Sequence, residues 1–167
     1  MKNSNRCTIL PTLKDGGVGV ELGVAKGIFS RSICDLSPLS KVYGIDRYKD
    51  HHDHREMRDM LILMKDEIDS GRYEFLRGTF ASLCGHFEDS TFDFIYIDGY
   101  AHTGQEAGGT LEDWWPKLSP GGIFSGHDYD KRYQPTIDAV DAFVQRHNLE
   151  LTIVEEQEGY ASWLVEK

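Results

Sequence analysis

FDFIYID, Phe92–Asp98, is aromatic, β-branched and almost continuously apolar up to its final acid. A strand of that composition has no polar face to give to water. It reads as buried on both faces, in the middle of a parallel sheet. Outward from it, strands and helices alternate. On the N-terminal side lie a short buried strand at Val18–Leu22 and a helix at Gly27–Leu36 with Ile28, Ile33 and Leu36 available to face inward. A strand at Lys41–Asp46 follows. Next comes a helix at Asp53–Ser70, whose Met57, Met60, Leu61, Met64 and Ile68 share a face, with Gly71 as its stop. YEFLRG (Tyr73–Gly78) is the third strand.

On the C-terminal side, Thr103–Leu118 reads as a helix with Ala107, Leu111, Trp114, Trp115 and Leu118 on one face, ended by SPGG. GIFSGHD (Gly122–Asp128) is a fifth strand, and Ile137–His147 an amphipathic helix with Pro135 near its start. LTIVEE (Leu151–Glu156) and YASWLVE (Tyr160–Glu166) then pair as an antiparallel hairpin at one edge. Alternating β and α units give an α/β, doubly wound, Rossmann-like sheet with right-handed crossovers. Ligands of such sheets sit beyond the carboxyl ends of the strands.

The bulk numbers agree with one soluble unit. A chain of 167 residues suits a single domain, 1–167. No apolar run approaches the roughly 20 residues of a membrane span, and MKNSNRCTIL has no signal-peptide core. The expectation is a cytoplasmic protein without a membrane partner. Cys7, Cys34 and Cys84 are odd in number and widely spaced, as buried thiols rather than a zinc or redox pattern. The net charge of −10 disfavours nucleic acid as a partner. One exception is DRYKDHHDHREMR (Asp46–Arg58), which reads as a solvated loop and helix start or as a small basic patch.

The strand ends carry the candidate chemistry. After the first strand stand Glu21, Gly23 and Gly27, a Glu-x-Gly-x-x-x-Gly spacing that is not the dinucleotide fingerprint. A glycine turn before a helix lets a ligand reach the main chain. With an acid beside it, an amino-acid moiety fits better than a pyrophosphate. Asp46 lies 23 residues past Gly23, an interval suited to ribose hydroxyls. Gly78, Thr79 and Phe80 follow the third strand, where an adenine ring could be bounded. Asp98 ends the fourth strand and His127-Asp128 the fifth. If these strands are neighbours, two carboxylates and an imidazole converge as candidate ligands for Mg²⁺ or Mn²⁺. Alternatively Asp98 binds cofactor or water while His127 and Asp128 cap a turn.

Taken in order, VELGVAKGIFS, VYGIDRY, FLRGTF, FDFIYIDGYAHTGQEA and WWPKLSPGGIFSGHDYD resemble class I S-adenosylmethionine-dependent methyltransferases. Their closest likeness is to the small-molecule O-methyltransferase branch that includes macrolide-sugar enzymes. The resemblance covers roughly Val18 to Val144 and implies seven strands with the last antiparallel. It implies S-adenosylmethionine as cofactor. Its methionine part would approach Gly23 and Gly27, its amine region Glu21 and its ribose Asp46, with Arg47 alongside; Thr79 or Phe80 would flank the adenine, and Asp98 would border the methyl. The metal-dependent branch has acids at the ends of strands four and five; this chain has Asp98 and then His127-Asp128, an imidazole where a carboxylate is usual. His127 could instead act as general base, as could His102. Tyr100, His102, Tyr129, Lys131, Arg132 and Tyr133 would line the acceptor site.

The expected reaction is S_N2 transfer of a methyl group from sulfonium to a hydroxyl of a small molecule, a sugar among the candidates, with or without a divalent metal. No Asn/Asp-Pro-Pro-Tyr motif points to base-amine methylation. The stretch before the first strand is short, so the site would be open or would borrow a lid from a second copy in a homo-oligomer. A nicotinamide dehydrogenase lacks its fingerprint here. A cofactor-binding protein without turnover is the alternative reading.

Overall fold

The computed structural model describes residues 5–49, 53–155 and 159–167. His51 and His52 of the basic stretch lie outside them. Seven strands form one sheet: β1 (Val18–Leu22), β2 (Lys41–Asp46), β3 (Tyr73–Arg77), β4 (Phe92–Ile97), β5 (Leu118–Gly126), β6 (Thr152–Val154) and β7 (Ser162–Glu166). Their order is β3-β2-β1-β4-β5-β7-β6. The pairs among β1 to β5 are parallel, and β7 runs antiparallel to both β5 and β6. The edge hairpin is therefore present, with the last strand inserted on its inner side.

β4 is buried on both faces, because successive side chains alternate across a strand. Phe94 and Tyr96 join one core with Leu10, Ile33, Val42, Met60 and Met64. Ile95 and Ile97 join the other with Val20, Leu22, Trp114, Phe124, Phe143 and Trp163. Helices cover both faces: α1 (Ile28–Leu36), α2 (His54–Leu63), α3 (Lys65–Asp69), α4 (Phe80–Cys84), α5 (Gly104–Ala107), α6 (Gly109–Trp114) and α7 (Gln134–His147). Ahead of β1, a 3-10 helix over Asn5–Thr12 packs on α1 and buries Leu10. No described helix is long and apolar enough to cross a membrane. All three cysteines are free thiols; Cys34 and Cys84 are buried and Cys7 is half-buried.

Three helix readings change. In α1, Ile28 and Leu36 are exposed while Phe29, Ser30, Ile33 and Cys34 face in. Periodicity alone could not choose between adjacent frames; the contact of Phe29 with the Tyr96 ring, 4.3 Å between centroids, decides it. The span Asp53–Ser70 is two helices with a break at Met64, where ψ is 7°. Both Met60 and Met64 stay buried, whereas Leu61 is exposed.

Thr103–Leu118 is not one helix. Gly104, Gln105, Glu106, Ala107 and Gly108 form a left-handed turn, with φ of 61°, 49°, 58°, 56° and 84°. A left-handed conformation costs roughly 1–2 kcal/mol for each residue with a Cβ. The surroundings hold it: Gln105 Nε2 donates to Thr136 Oγ1 at 3.3 Å, and that hydroxyl donates to the Ala101 carbonyl at 3.0 Å. α6 and a 3-10 turn over Trp115–Lys117 complete the segment, burying Leu111 and Trp114 as expected. Ser119–Gly122 falls in a register shift of β5 against β4.

Candidate active site

A cleft of about 350 Å³ opens beyond the carboxyl ends of the strands, around the point where β1 and β4 diverge in connection. Gly23 and Ala25 after β1, Asp46, Arg47 and Lys49 after β2, and Phe80 after β3 line it. So do Asp98 to Thr103 after β4, Asp128 after β5, and Tyr133. Main-chain bonds hold these ends in line. Gly23 N–H donates to Ile45 O at 2.8 Å, Asp98 N–H to Leu22 O at 2.7 Å and His127 N–H to Ile97 O at 2.9 Å.

Gly23 takes φ +99°, and a Cβ there would stand 2.0 Å from the Asp98 carbonyl oxygen. The side chain is missing partly so that β1 and β4 can close against each other. Asp46 then shapes the turn. Its Oδ2 accepts from Val24 N–H at 2.9 Å and Ala25 N–H at 3.0 Å, and its Oδ1 accepts from Tyr48 N–H at 2.9 Å. The Tyr48 hydroxyl returns to the Ala25 carbonyl at 2.5 Å. Asp46 is thus only 8% exposed, yet it remains on the cleft wall.

The corner formed by β4 and β5 is a charge cluster. His127 Nδ1 lies 3.2 Å from Asp128 Oδ1 and 3.5 Å from Asp98 Oδ1. Arg6, from the N-terminal 3-10 helix, places Nη1 3.3 Å from Asp98 Oδ2, and its guanidinium lies 4.5 Å from the centre of the Phe29 ring. Burial works against a charged imidazole, but Asp128 and Asp98 outweigh it and push His127 up to about 9. Burial likewise opposes ionisation of Asp98, and His127 with Arg6 holds it below the usual carboxylate value. Asp98, His127 and Asp128 offer donor atoms all within 4.8 Å of one another. That donor set fits a divalent cation, which would have to displace the imidazole proton.

Not every anticipated residue reaches the wall. Glu21 is 1% exposed, and its carboxylate accepts a bond from the Ser30 hydroxyl, which also touches Tyr73. Burial drives its pKa up to about 8. Gly27 is the left-handed residue before α1, where a Cβ would meet Met60 Cγ at 2.8 Å; it is kept bare by packing. Thr79 caps α4 in a reciprocal pair with Ser82, leaving Phe80 to face the cleft edge-on to Tyr100 at 4.9 Å. His127 stands behind Asp98 and Asp128 rather than on the wall.

Of the anticipated acceptor residues, Tyr100, His102 and Tyr133 line the cleft, with the His102 and Tyr133 rings edge-to-face at 5.0 Å. Tyr129, Lys131 and Arg132 do not. Tyr129 bonds Asp141 at 2.6 Å, and Arg132 pairs with Asp130 over the Tyr160 ring. Arg6 was not foreseen, and Lys49 was read only as part of the basic stretch Asp46–Arg58. Arg6 is one of two cations in the polar stretch MKNSNRCTIL, and Lys49 one charge among many.

A family profile described as a methyltransferase domain matches residues 20–129. No curated protein sequence matches the chain significantly. Among solved structures, a Corynebacterium glutamicum protein superposes with a TM-score of 0.75 at 15% identity, over 96% of this chain and 77% of that one. A precorrin-6y C5,15-methyltransferase from Geobacter metallireducens gives a TM-score of 0.75 at 12% identity, over 97% and 86%. An O-methyltransferase from Bacillus cereus in complex with SAH gives 0.67 at 16% identity, over 90% and 74%. These likenesses are of fold.

Proposed function

This chain belongs to the family of methyltransferase domains matched over residues 20–129, and from that membership we propose that it moves the methyl group of S-adenosylmethionine onto a hydroxyl oxygen of a small molecule. S-adenosylmethionine-dependent methyl transfer is the family's activity. The oxygen acceptor and the residue roles are the proposal. The observation that supports them most is that Gly23, Asp46 and Asp98 share one cleft wall, next to a corner of two carboxylates and an imidazole.

The sulfonium methyl is already activated, so the protein has two tasks: in-line alignment and removal of the acceptor proton. Asp98 and Asp128 orient the hydroxyl as acceptors of its hydrogen bond. His127, protonated at neutral pH, pairs with both carboxylates. His102, exposed on the wall, takes the proton. A divalent ion held by Asp98, His127 and Asp128 would supply a further lowering of the hydroxyl pKa. A cytoplasmic location belongs to the same reading, supported by the three free thiols.

The test is methyl transfer from labelled S-adenosylmethionine to a panel of sugars and phenols, with and without EDTA. Label recovered on acceptor oxygen supports the reading, and its loss with EDTA supports the metal. Label found only on nitrogen or carbon, or none transferred to any hydroxyl, overturns it.

A further inference from the structure

Resting on the hydroxyl-transfer reading and its choice of His102 as base, we infer that Tyr160 is a positioning residue for the reaction. Its ring holds the Tyr133 ring, and through it the His102 imidazole. Tyr160 stands just before β7 and is not among the residues that line the cleft. Its ring centre lies 5.0 Å from that of Tyr133, at 66° between planes. Tyr133 is on the cleft wall and meets His102 edge-to-face at 5.0 Å. These are separations at which aromatic rings attract each other in edge-on geometry. A run of three rings thus joins the exposed base to the C-terminal hairpin.

The far end of the run is anchored. The Arg132 guanidinium lies 4.0 Å from the centre of the Tyr160 ring, within cation–π range, and its Nη2 donates to the Gly159 carbonyl at 3.2 Å. Asp130 fixes that guanidinium in turn, accepting from Nε at 2.7 Å and from Nη2 at 3.1 Å. The near end needs such support. A general base must stand within hydrogen-bond reach of the proton it takes, and an exposed imidazole samples several rotamers. Among the described residues no side chain hydrogen-bonds the His102 ring, and Tyr133 is its ring contact. Tyr160 also meets the His127 ring edge-on at 6.0 Å, and His127 Nδ1 is 3.2 Å from Asp128 Oδ1. One ring therefore borders the acceptor corner from two sides: the imidazole that pairs with its carboxylates, and the phenol that sets its base.

The experiment has two arms, both on the full chain. In the first, imidazole correlation spectra of histidine-labelled protein, assigned by single histidine substitutions, compare the wild type with Tyr160→Ala. The His127 signals shift through loss of a direct contact. The His102 signals shift with them, although Tyr160 does not touch that ring, while those of His86 and His147 stay. Unmoved His102 signals overturn the inference. The second arm follows methyl transfer to a hydroxyl acceptor. Tyr160→Ala lowers kcat at least about tenfold, the scale for a base displaced by a fraction of an ångström, and leaves SAH affinity within about twofold of the wild type. Tyr160→Phe keeps the ring and recovers the rate. Wild-type kcat in Tyr160→Ala, or a loss that Tyr160→Phe does not recover, overturns the inference. So does an equal loss of SAH affinity, because Tyr160 then serves the cofactor or the fold. If Tyr160→Ala does not fold, Tyr160→Leu replaces it in both arms. Shifted His102 signals in a protein that labels no acceptor oxygen uphold the ring contacts and overturn the hydroxyl reading instead.

Discussion

Arg6 and Asp98 stand 92 positions apart in the chain and meet with 3.3 Å between Nη1 and Oδ2. The contact ties the segment before β1 to the end of β4. It also spends one Asp98 oxygen on a permanent cation and leaves the other toward His127. Arg6→Ala removes a hydrogen bond to a charged group, a loss of about 1.5–3 kcal/mol. We expect kcat to fall about 10- to 100-fold. Asp98 has a depressed pKa, so its charge is lost as pH falls through the folded value. Without Arg6 that value rises, and the acid limb of the kcat/KM profile moves to higher pH. Arg6→Lys recovers part of both.

Asp98→Asn keeps the shape of the corner and removes its charge. Methyl transfer should drop by at least about 10²-fold, the scale for losing a positioned acid–base or orienting group. Calorimetric affinity for SAH should change less than the rate does. A variant with wild-type kcat would remove Asp98 from the acceptor chemistry.

Asp46→Ala withdraws the acceptor of three main-chain N–H groups as well as a cleft-wall carboxylate. Each unsatisfied buried donor costs about 1–3 kcal/mol. Two readouts should move together: SAH affinity weaker by about 1–3 kcal/mol, and a lower Tm for the protein without cofactor. Unchanged SAH affinity beside a lowered Tm would confine Asp46 to shaping the turn.

Glu21 titrates near 8 because burial disfavours its charge. A carboxyl whose folded pKa is raised binds its proton more tightly in the native state. Its stabilisation is complete below the unfolded pKa near 4.5 and is lost as pH climbs through about 8. Glu21→Gln should flatten that decline, and at pH 8 should exceed the wild type by a few kcal/mol at about 1.4 kcal/mol per unit. Chemical denaturation between pH 5 and pH 9 reads the difference. Parallel curves for the two proteins would show Glu21 ionised throughout.

Gly23→Ala sets a methyl 2.0 Å from the Asp98 carbonyl oxygen, at a φ that side chains rarely adopt. The neighbour is main chain and cannot swing aside. Destabilisation of about 3 kcal/mol or more is expected, at the upper end for single substitutions. Equilibrium unfolding in urea measures it.

What could be read in advance follows the range of the interactions. FDFIYID announced a doubly buried strand because both faces of β4 are apolar, a local pattern with one solution. Gly23, Asp46 and Asp98 were found as candidates because strand ends meet in any doubly wound sheet. The frame of α1 was not legible: Ile28 and Phe29 are equally apolar, and it is packing on the Tyr96 ring of β4 that selects Phe29. The left-handed turn after His102 was hidden for the same reason. Its partners are Thr136 and the main chain of Pro135, some thirty residues on. Arg6 had no local signal, because its meaning resides wholly in Asp98.

The placement of β7 between β5 and β6 also orders events at synthesis. Until Ser162–Glu166 leaves the ribosome, β5 has a neighbour on one side only. Its other border stays open as a ladder of unpaired amides, the kind of surface on which nascent chains aggregate. Closure waits for the final strand, and truncation within it strands the nascent protein in that sticky, unfinished state.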